Sequence, residues 1–349
     1  MGGGRDVDDS PLPQAYGFDE STVAFEGLGN RILDNPKSNS IELGQGEIEI
    51  CDRWDKTKRY TDLTIDFIKR NKDRPFYVHL FPNDVHDRHV PIPGTEEKWK
   101  TVTDNPFEHT FFSVLEQMDE QLGRVIDAVD ELGLAEETLI IFTSDNGPTD
   151  WAKYYSDGGS PPGFTGPFHG RKWSLYEGGI RMPFIARWKG RIPAGVTDET
   201  SIMSGIDLSP TFCQLAGVKA EGLDGVDCGE VLLGKTRTYP KPLFWQYGRP
   251  YARLMPGKLA FHSPSYAVRD GDYKFLVNPD GTDAQLFDIA SDQGETANLL
   301  AEKPDLASGL QQKIGDWSQE VGVEFDASAK LEAPKPKAGV VMFNKIVPF

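Results

Sequence analysis

Cationic side chains are scarce in this chain: 37 Lys and Arg stand against 54 Asp and Glu, a net charge of −17. Binding a phosphate backbone needs a basic face, so nucleic acid is excluded as a partner. An anionic substrate must then be met by a local cluster of cations, because the overall field repels it. Cysteine is also sparse. Cys51, Cys213 and Cys228 include no CxxC pair, which excludes a zinc cluster and a disulfide framework. Cys213 falls in a predicted helix and reads as a small core residue. No uninterrupted apolar run reaches the length of a membrane span. Met1-Gly2-Gly3-Gly4-Arg5-Asp6 has no secretory signal pattern, and no internal repeat is visible.

What is present is enough for a packed core, with 38% hydrophobic and 11% aromatic residues in 349. Residues 1 to 56 are irregular, rich in Gly, Pro and Asp. Tyr60, Leu63, Thr64, Phe67 and Ile68 follow helical spacing. Pro75-Phe76-Tyr77-Val78-His79-Leu80-Phe81 reads as a strand. A helix over 108–132 carries the stripe Val114, Met118, Leu122, Val125, Ile126 and Val129, with Gly133 as its C-terminal stop. A strand at 138–142 follows. This alternation predicts an α/β domain with a mostly parallel sheet sandwiched by helices. After an aperiodic stretch, 147–172, come a strand at 183–188 and a helix with Ser209 at the N-cap and Pro210 at N1. Beyond residue 238 the texture changes. Strands 273–277 and 285–289 flank the turn Asn278-Pro279-Asp280-Gly281, and a helix covers 303–320. The division expected is an α/β domain over 1–238 and a small antiparallel-sheet-plus-helix subdomain with an irregular tail over 239–349.

Three clusters could carry chemistry. Thr143-Ser144-Asp145-Asn146-Gly147 closes the apolar run Leu139-Ile140-Ile141-Phe142, and sheets of this kind bind ligands at such strand ends. Asp145 and Asn146 offer hard oxygen ligands suited to Ca²⁺ or Mg²⁺. Asn83-Asp84-Val85-His86-Asp87-Arg88-His89 follows the strand at 75–81, where a histidine can act as a general acid. Gly170-Arg171-Lys172-Trp173-Ser174-Leu175-Tyr176-Glu177-Gly178-Gly179-Ile180-Arg181 combines cations with glycines, a setting for sulfate or phosphate. Each cluster alone also reads as a solvated turn.

In this order the clusters resemble the formylglycine-dependent sulfatases of the alkaline phosphatase superfamily. Gly17-Phe18-Asp19-Glu20 is similar to the family's G-F-D-E element. The N-x-P-H loop appears with Val85 in place of proline and with His86 kept. T-S-D-N-G stands at 143–147, L-Y-E-G-G-x-R at 175–181 and Asp207-Leu208-Ser209-Pro210-Thr211 follows. Leu286-Phe287-Asp288 and Gly294-Glu295-Thr296-Ala297-Asn298-Leu299 complete the series. The resemblance implies that Asp145 and Asn146 bind a divalent cation, usually Ca²⁺ with Mg²⁺ as the alternative. It implies that His86 contacts the sulfate or protonates the leaving oxygen, and that Lys172 pairs with the ester oxygens. His169 and Arg171 are candidates for substrate contact. Trp151, Tyr154 and Tyr155 are possible stacking surfaces for a sulfated carbohydrate.

The departures matter as much. The family's nucleophile is a formylglycine made from a cysteine in C-x-P-S-R. Here the three cysteines precede Asp-Arg-Trp, Gln-Leu-Ala and Gly-Glu-Val. The family's paired N-terminal aspartates and its G-K-W-H-x-G element are missing as well. The expectation is an N-terminally truncated sulfatase, inactive alone, with two protein ligands where a calcium shell takes about six or more. The parent is expected in the periplasm or outside the cell. The alternatives are a phosphatase or phosphonate hydrolase of the same superfamily, or a pseudo-enzyme that binds sulfated glycans. Oligomeric state is open.

Overall fold

The computed structural model describes residues 13–24, 31–34, 47–86, 89–150, 162–219, 221–248 and 255–334. Internal contacts group the chain into two units, Met1–Thr138 with Tyr154–Gly159, and Leu139–Lys153 with Ser160–Phe349. The division expected at residue 238 lies inside the second of these.

The first unit opens with three short antiparallel strands, β1 (Thr22–Ala24), β2 (Arg31–Asp34) and β3 (Glu47–Ile50). The sequence reading left this region irregular. Strands of three or four residues are too short for their alternation to stand out among Gly, Pro and Asp. Two helices follow, α1 (Lys56–Asn71) and α2 (Pro106–Glu131), and they pack on each other. The buried side of α2 includes Val114, Met118 and Val129 from the expected stripe, together with Gln117 and Gln121. Leu132 caps the helix and Gly133 takes φ 73° beyond it. At the other end the Asn105 side chain accepts a hydrogen bond from Phe107 N at 3.0 Å, with Pro106 in the first turn. An Asn105→Ala variant should lose about 1 kcal/mol of stability in urea denaturation. No measurable loss would mean that the cap is not used.

Residues 75–81 form no ladder, although the sequence predicts a strand there. Their exposure still alternates, with Tyr77, His79 and Phe81 outward and Phe76, Val78 and Leu80 half-buried. Phe76 meets Phe67 of α1 edge to face, and Leu80 packs against Cys51 and Tyr60. The period of two is therefore set by packing on α1, and no neighbouring backbone among the described residues completes a sheet.

In the second unit, β4 (Ile140–Thr143) pairs antiparallel with β5 (Phe184–Arg187), Phe142 opposite Ile185. The short helix α3 (Glu177–Ile180) lies between them in sequence. No parallel ladder occurs among the described residues, so the parallel pairing expected from the helix–strand alternation is not seen there. Helix α4 (Leu208–Leu215) starts one residue before the predicted N-cap, Ser209. Ser204 and Asp207 form a capping box around the preceding turn, and Pro210 is the third helical residue. The first-turn amides of a helix have no intrahelical acceptor, so proline is tolerated there. Cys213 is half-buried, not a core residue, while Cys51 and Cys228 are buried.

After α5 (Gly229–Leu232), a four-stranded antiparallel sheet is built in chain order from β6 (Leu243–Gln246), β7 (Tyr266–Asp270), β8 (Tyr273–Val277) and β9 (Gln285–Asp288). The predicted turn at 278–281 joins β8 to β9, with Gly281 at φ 81°. Helix α6 (Pro304–Val321) closes at Gly322, φ 72°. The sheet is covered on both faces. Tyr266, Val268, Phe275, Val277 and Leu286 pack with Ala307, Leu310 and Ile314 of α6. The intervening residues Ala267, Leu276 and Phe287 pack instead against Leu175 and Tyr176. Burying a large apolar side chain of this kind contributes roughly 1.5–3 kcal/mol, so the 175–176 segment is firmly seated.

Candidate active site

In the first unit, His86 sits on a turn whose geometry is fixed by a polar network. Asp84, 6% exposed, accepts hydrogen bonds from the Thr57 hydroxyl of α1 and from Gln117 Nε2 of α2 at 3.2 Å. Burial pushes the Asp84 carboxyl pKa up, and the Thr57 hydrogen bond opposes that shift. Gln117 also donates to the Trp54 carbonyl and accepts from Ile92 N at 3.3 Å. Arg53 donates to the His86 carbonyl, and His86 N closes the turn onto Asn83 O at 3.2 Å. His86 itself is half-buried, and Val85 at the family's proline position is exposed. The anchoring role of Asp84 was not anticipated. An acid two residues before a candidate histidine is the signal that could have suggested it.

In the second unit, β4 ends at Thr143 and presents Asp145, exposed, and Asn146, half-buried. Thr143 Oγ1 donates to Pro183 O at 2.9 Å, tying the strand end to the approach of β5. Ser144 Oγ donates to Asn146 O at 3.1 Å. Asn146 Nδ2 donates to Gly147 O at 3.1 Å, which leaves its Oδ1 as the acceptor end. Both residues therefore offer oxygen to a cation. No group of three or more His, Cys, Asp or Glu side chains is arranged around a metal among the described residues. The donor chemistry fits a hard cation, of whose shell these two residues would supply only part.

Three glycines hold this loop against the Arg171–Lys172 loop. Gly147 N donates to Gly179 O at 3.1 Å, Gly178 N to His169 O at 2.6 Å, and Lys172 N to Pro148 O at 3.0 Å. A Cβ on Gly147 would stand 1.9 Å from Gly178 O. On Gly178 it would meet Gly170 O at 2.4 Å, and on Gly179 it would meet Ser174 O at 2.2 Å. Only glycine permits backbones to approach this closely. The structure thus brings Asp145, Asn146, His169, Arg171 and Lys172 together in one unit, while His86 belongs to the other.

The cations differ in their surroundings. Lys172 is half-buried, its Nζ 5.8 Å from the centre of the Trp173 ring, and Trp173 takes φ 72°, a left-handed conformation rare for a bulky residue. Arg171 donates to Thr149 O at 3.3 Å and to Gly163 O at 2.8 Å. Burial lowers its pKa, with Asp150 pulling the other way. His169 Nε2 lies 2.9 Å from Ala260 O, and its ring stacks on Tyr176 at 4.1 Å. Asp150, 4% exposed, accepts from Gly257 N at 2.7 Å and Lys258 N at 2.8 Å. Both Arg171 and His169 therefore brace the loop through backbone carbonyls. Trp151, Tyr154 and Tyr155 lie outside the described residues.

The motif order agrees with the comparisons. The sulfatase family model matches residues 7–218, more than half of the chain. The chain belongs to the sulfatase family. A second model, for the C-terminal part of N-sulphoglucosamine sulphohydrolase, matches residues 166–320. The chain is 30% identical over 307 residues to a sulfatase of Formosa agariphila, covering 79% of this chain and 53% of that one. It is 28% identical over 266 residues to the N-acetylgalactosamine-6-O-sulfatase of Bacteroides thetaiotaomicron, covering 73% and 49%. The chain thus spans about half the length of the curated relatives it matches. The solved structure of Ps i-CgsB in complex with k-i-k-neocarrahexaose superposes with a TM-score of 0.71 at 23% identity, over 93% of this chain and 71% of that one. That likeness shows the fold, the alkaline phosphatase-like α/β fold of sulfatases. No helix among the described residues is long and apolar enough to cross a membrane.

Proposed function

We propose that this chain supplies the cation-binding and sulfate-contacting part of a sulfuric ester hydrolase acting on sulfated carbohydrates. The observation that carries the reading is the glycine-packed junction that holds the Asp145–Asn146 pair and the Lys172 loop in one backbone web. In this reading Asp145 Oδ and Asn146 Oδ1 would hold a calcium ion, which would supply neutralising charge for the sulfuryl group. Lys172 pairs with the ester oxygens as a compact cation. His86, on its Asp84-anchored turn, contacts the sulfate or protonates the leaving oxygen. His169 and Arg171 shape the substrate side of the loop from their carbonyl-bonded positions. The carbohydrate preference is supported by the relative named N-acetylgalactosamine-6-O-sulfatase. No cysteine of the chain stands in C-x-P-S-R, so the formylglycine nucleophile of the family has no source in these residues.

Calorimetric titration of the purified chain with calcium tests the site. Two carboxamide and carboxylate ligands should give weak binding, with a dissociation constant on the order of 10⁻⁴–10⁻³ M, lost in Asp145→Ala. The chain alone should not turn over an aryl sulfate. Binding that survives Asp145→Ala would remove the metal assignment. Turnover that Asp145→Ala abolishes would overturn the statement that this chain lacks the nucleophile.

A further inference from the structure

The signature Leu175–Arg181 ends in a buried charge cluster. Glu177, at the head of α3, is 3% exposed, Lys274 of β8 is fully buried and Glu295 is 5% exposed. Lys274 Nζ donates to Glu177 Oε1 at 2.8 Å and lies 2.9 Å from Glu295 Oε1, a close ion pair without an aligned hydrogen bond. The second oxygen of Glu295 accepts from the backbone N–H of Glu177 at 2.7 Å. Glu177 is therefore gripped twice, by its carboxylate and by its amide. Arg181 stands 3.6 Å from the other Glu177 oxygen. Tyr176, next in line, donates to Gln285 Oε1 at 2.9 Å on the same sheet face. Glu295 itself takes φ 53°, a strained backbone kept where surrounding contacts over-determine it.

The residues that follow Glu177 are Gly178 and Gly179, whose carbonyls touch Gly147 directly and whose amides bond His169 O and Tyr176 O. A path of contacts thus runs from the sheet through three backbone residues to both candidate loops. We propose that Lys274 and Glu295 are positioning residues for the Asp145–Asn146–Lys172 site, forming with Glu177 a buried clamp that seats the Glu177-Gly178-Gly179 backbone on the C-terminal sheet. The proposal rests on the reading of that site given above. It makes the sheet at 243–288 a working part of the site.

The charges around the clamp set its response to pH. Glu295 faces Lys274 from β8, with Glu177 and Tyr176 beside it. Arg181 and Arg269 stand behind Glu177, and Asp272 faces Arg269. Burial, opposed by the Lys274 charge and reinforced by Glu177, pushes the Glu295 carboxyl up to about 7. Burial also opposes ionisation of Glu177, yet Lys274 with Arg269 and Arg181 holds that carboxyl below its usual range. A raised folded pKa means that the contribution is complete at low pH and is lost as pH rises through about 7, where two carboxylates share one lysine.

Hydrogen–deuterium exchange on the full chain tests the clamp at peptides carrying the amides of Gly147, Gly178 and Gly179, with α1 as the reference for intrinsic rate. Lys274→Met should speed exchange at these amides on the order of a hundredfold, leaving α1 and α6 as in the wild type. In the wild type, protection at the three amides should fall as pH rises through about 7. Glu295→Gln, which keeps an acceptor for Glu177 N and removes the charge, should abolish that dependence. Unchanged amides in Lys274→Met, or loosening that extends equally to α6, would overturn the clamp. Should Lys274→Met fail to fold, a pH dependence that persists in Glu295→Gln overturns it instead. Calcium titration separates the two readings. Released amides with no calcium binding in the wild type uphold the clamp and sink the site assignment, whereas calcium binding unaffected by Lys274→Met sinks the clamp.

Discussion

Alanine at position 147 should cost the second unit about 3 kcal/mol and abolish calcium binding with it. The added Cβ would stand 1.9 Å from Gly178 O and 3.0 Å from Gly178 C. Both are backbone atoms of the segment held by Glu177, so neither can rotate away as a side chain would. Gly147 does not occupy the left-handed region, so the cost comes from close approach and not from dihedral strain. The comparison that isolates this is Gly166→Ala. Gly166 takes φ 62° with open space where its Cβ would go, so strain alone operates and the loss should be about 1 kcal/mol. Urea denaturation of the two variants, followed by calcium titration, makes the check. Equal losses would show that the backbone junction yields more easily than its geometry implies.

The second large effect is expected at Asp207, a fully buried carboxylate in the Asp-Leu-Ser-Pro-Thr segment. One oxygen accepts from Ser204 N at 2.8 Å. The other accepts from Val226 N at 2.9 Å and from the Tyr239 hydroxyl at 2.7 Å. Its carbonyl takes the Thr211 hydroxyl at 2.6 Å, which in turn accepts from Cys228 N at 2.8 Å. Asp207→Ala strands the buried Tyr239 hydroxyl and the half-buried Ser204 and Val226 amides; an unsatisfied buried donor costs about 1–3 kcal/mol, a half-buried one less. The expected loss in denaturant is therefore about 3–6 kcal/mol. Asp207→Asn, which retains one accepting oxygen, should lose less. A loss below about 1 kcal/mol for the alanine variant would show that water replaces the carboxylate. Because these contacts lie away from Asp145 and Lys172 in sequence and function, residual folded protein should bind calcium as the wild type does.

Much of the second unit was legible in the sequence. The apolar run before Thr143 marked β4, and the acid–amide pair stands at the end of that strand. The hairpin around Asn278–Gly281 and the long helix closed at Gly133 were readable from turn and cap chemistry, which depends on adjacent residues. The order of short motifs carried the family. All of these are local signals, or one-dimensional arrangements of local signals.

What only the tertiary structure decided involves partners distant in the chain. Residues 75–81 alternate like a strand, but a strand exists only where another backbone accepts its hydrogen bonds. Lys274 is the charged residue of β8, on the same face as Leu276. The Leu175–Arg181 segment covers that face, so the lysine is buried and must be paired with Glu177 and Glu295, from two other motifs. Gly147, Gly178 and Gly179 have no side chain to advertise a contact. Their requirement is the absence of a Cβ where two backbones meet, and that meeting is set by the fold. Sequence thus determined which groups can perform the chemistry, since ligand type is a property of single residues. The fold determined which groups are held together and how tightly, since close packing and buried charge pairing are properties of chain segments brought together from far apart.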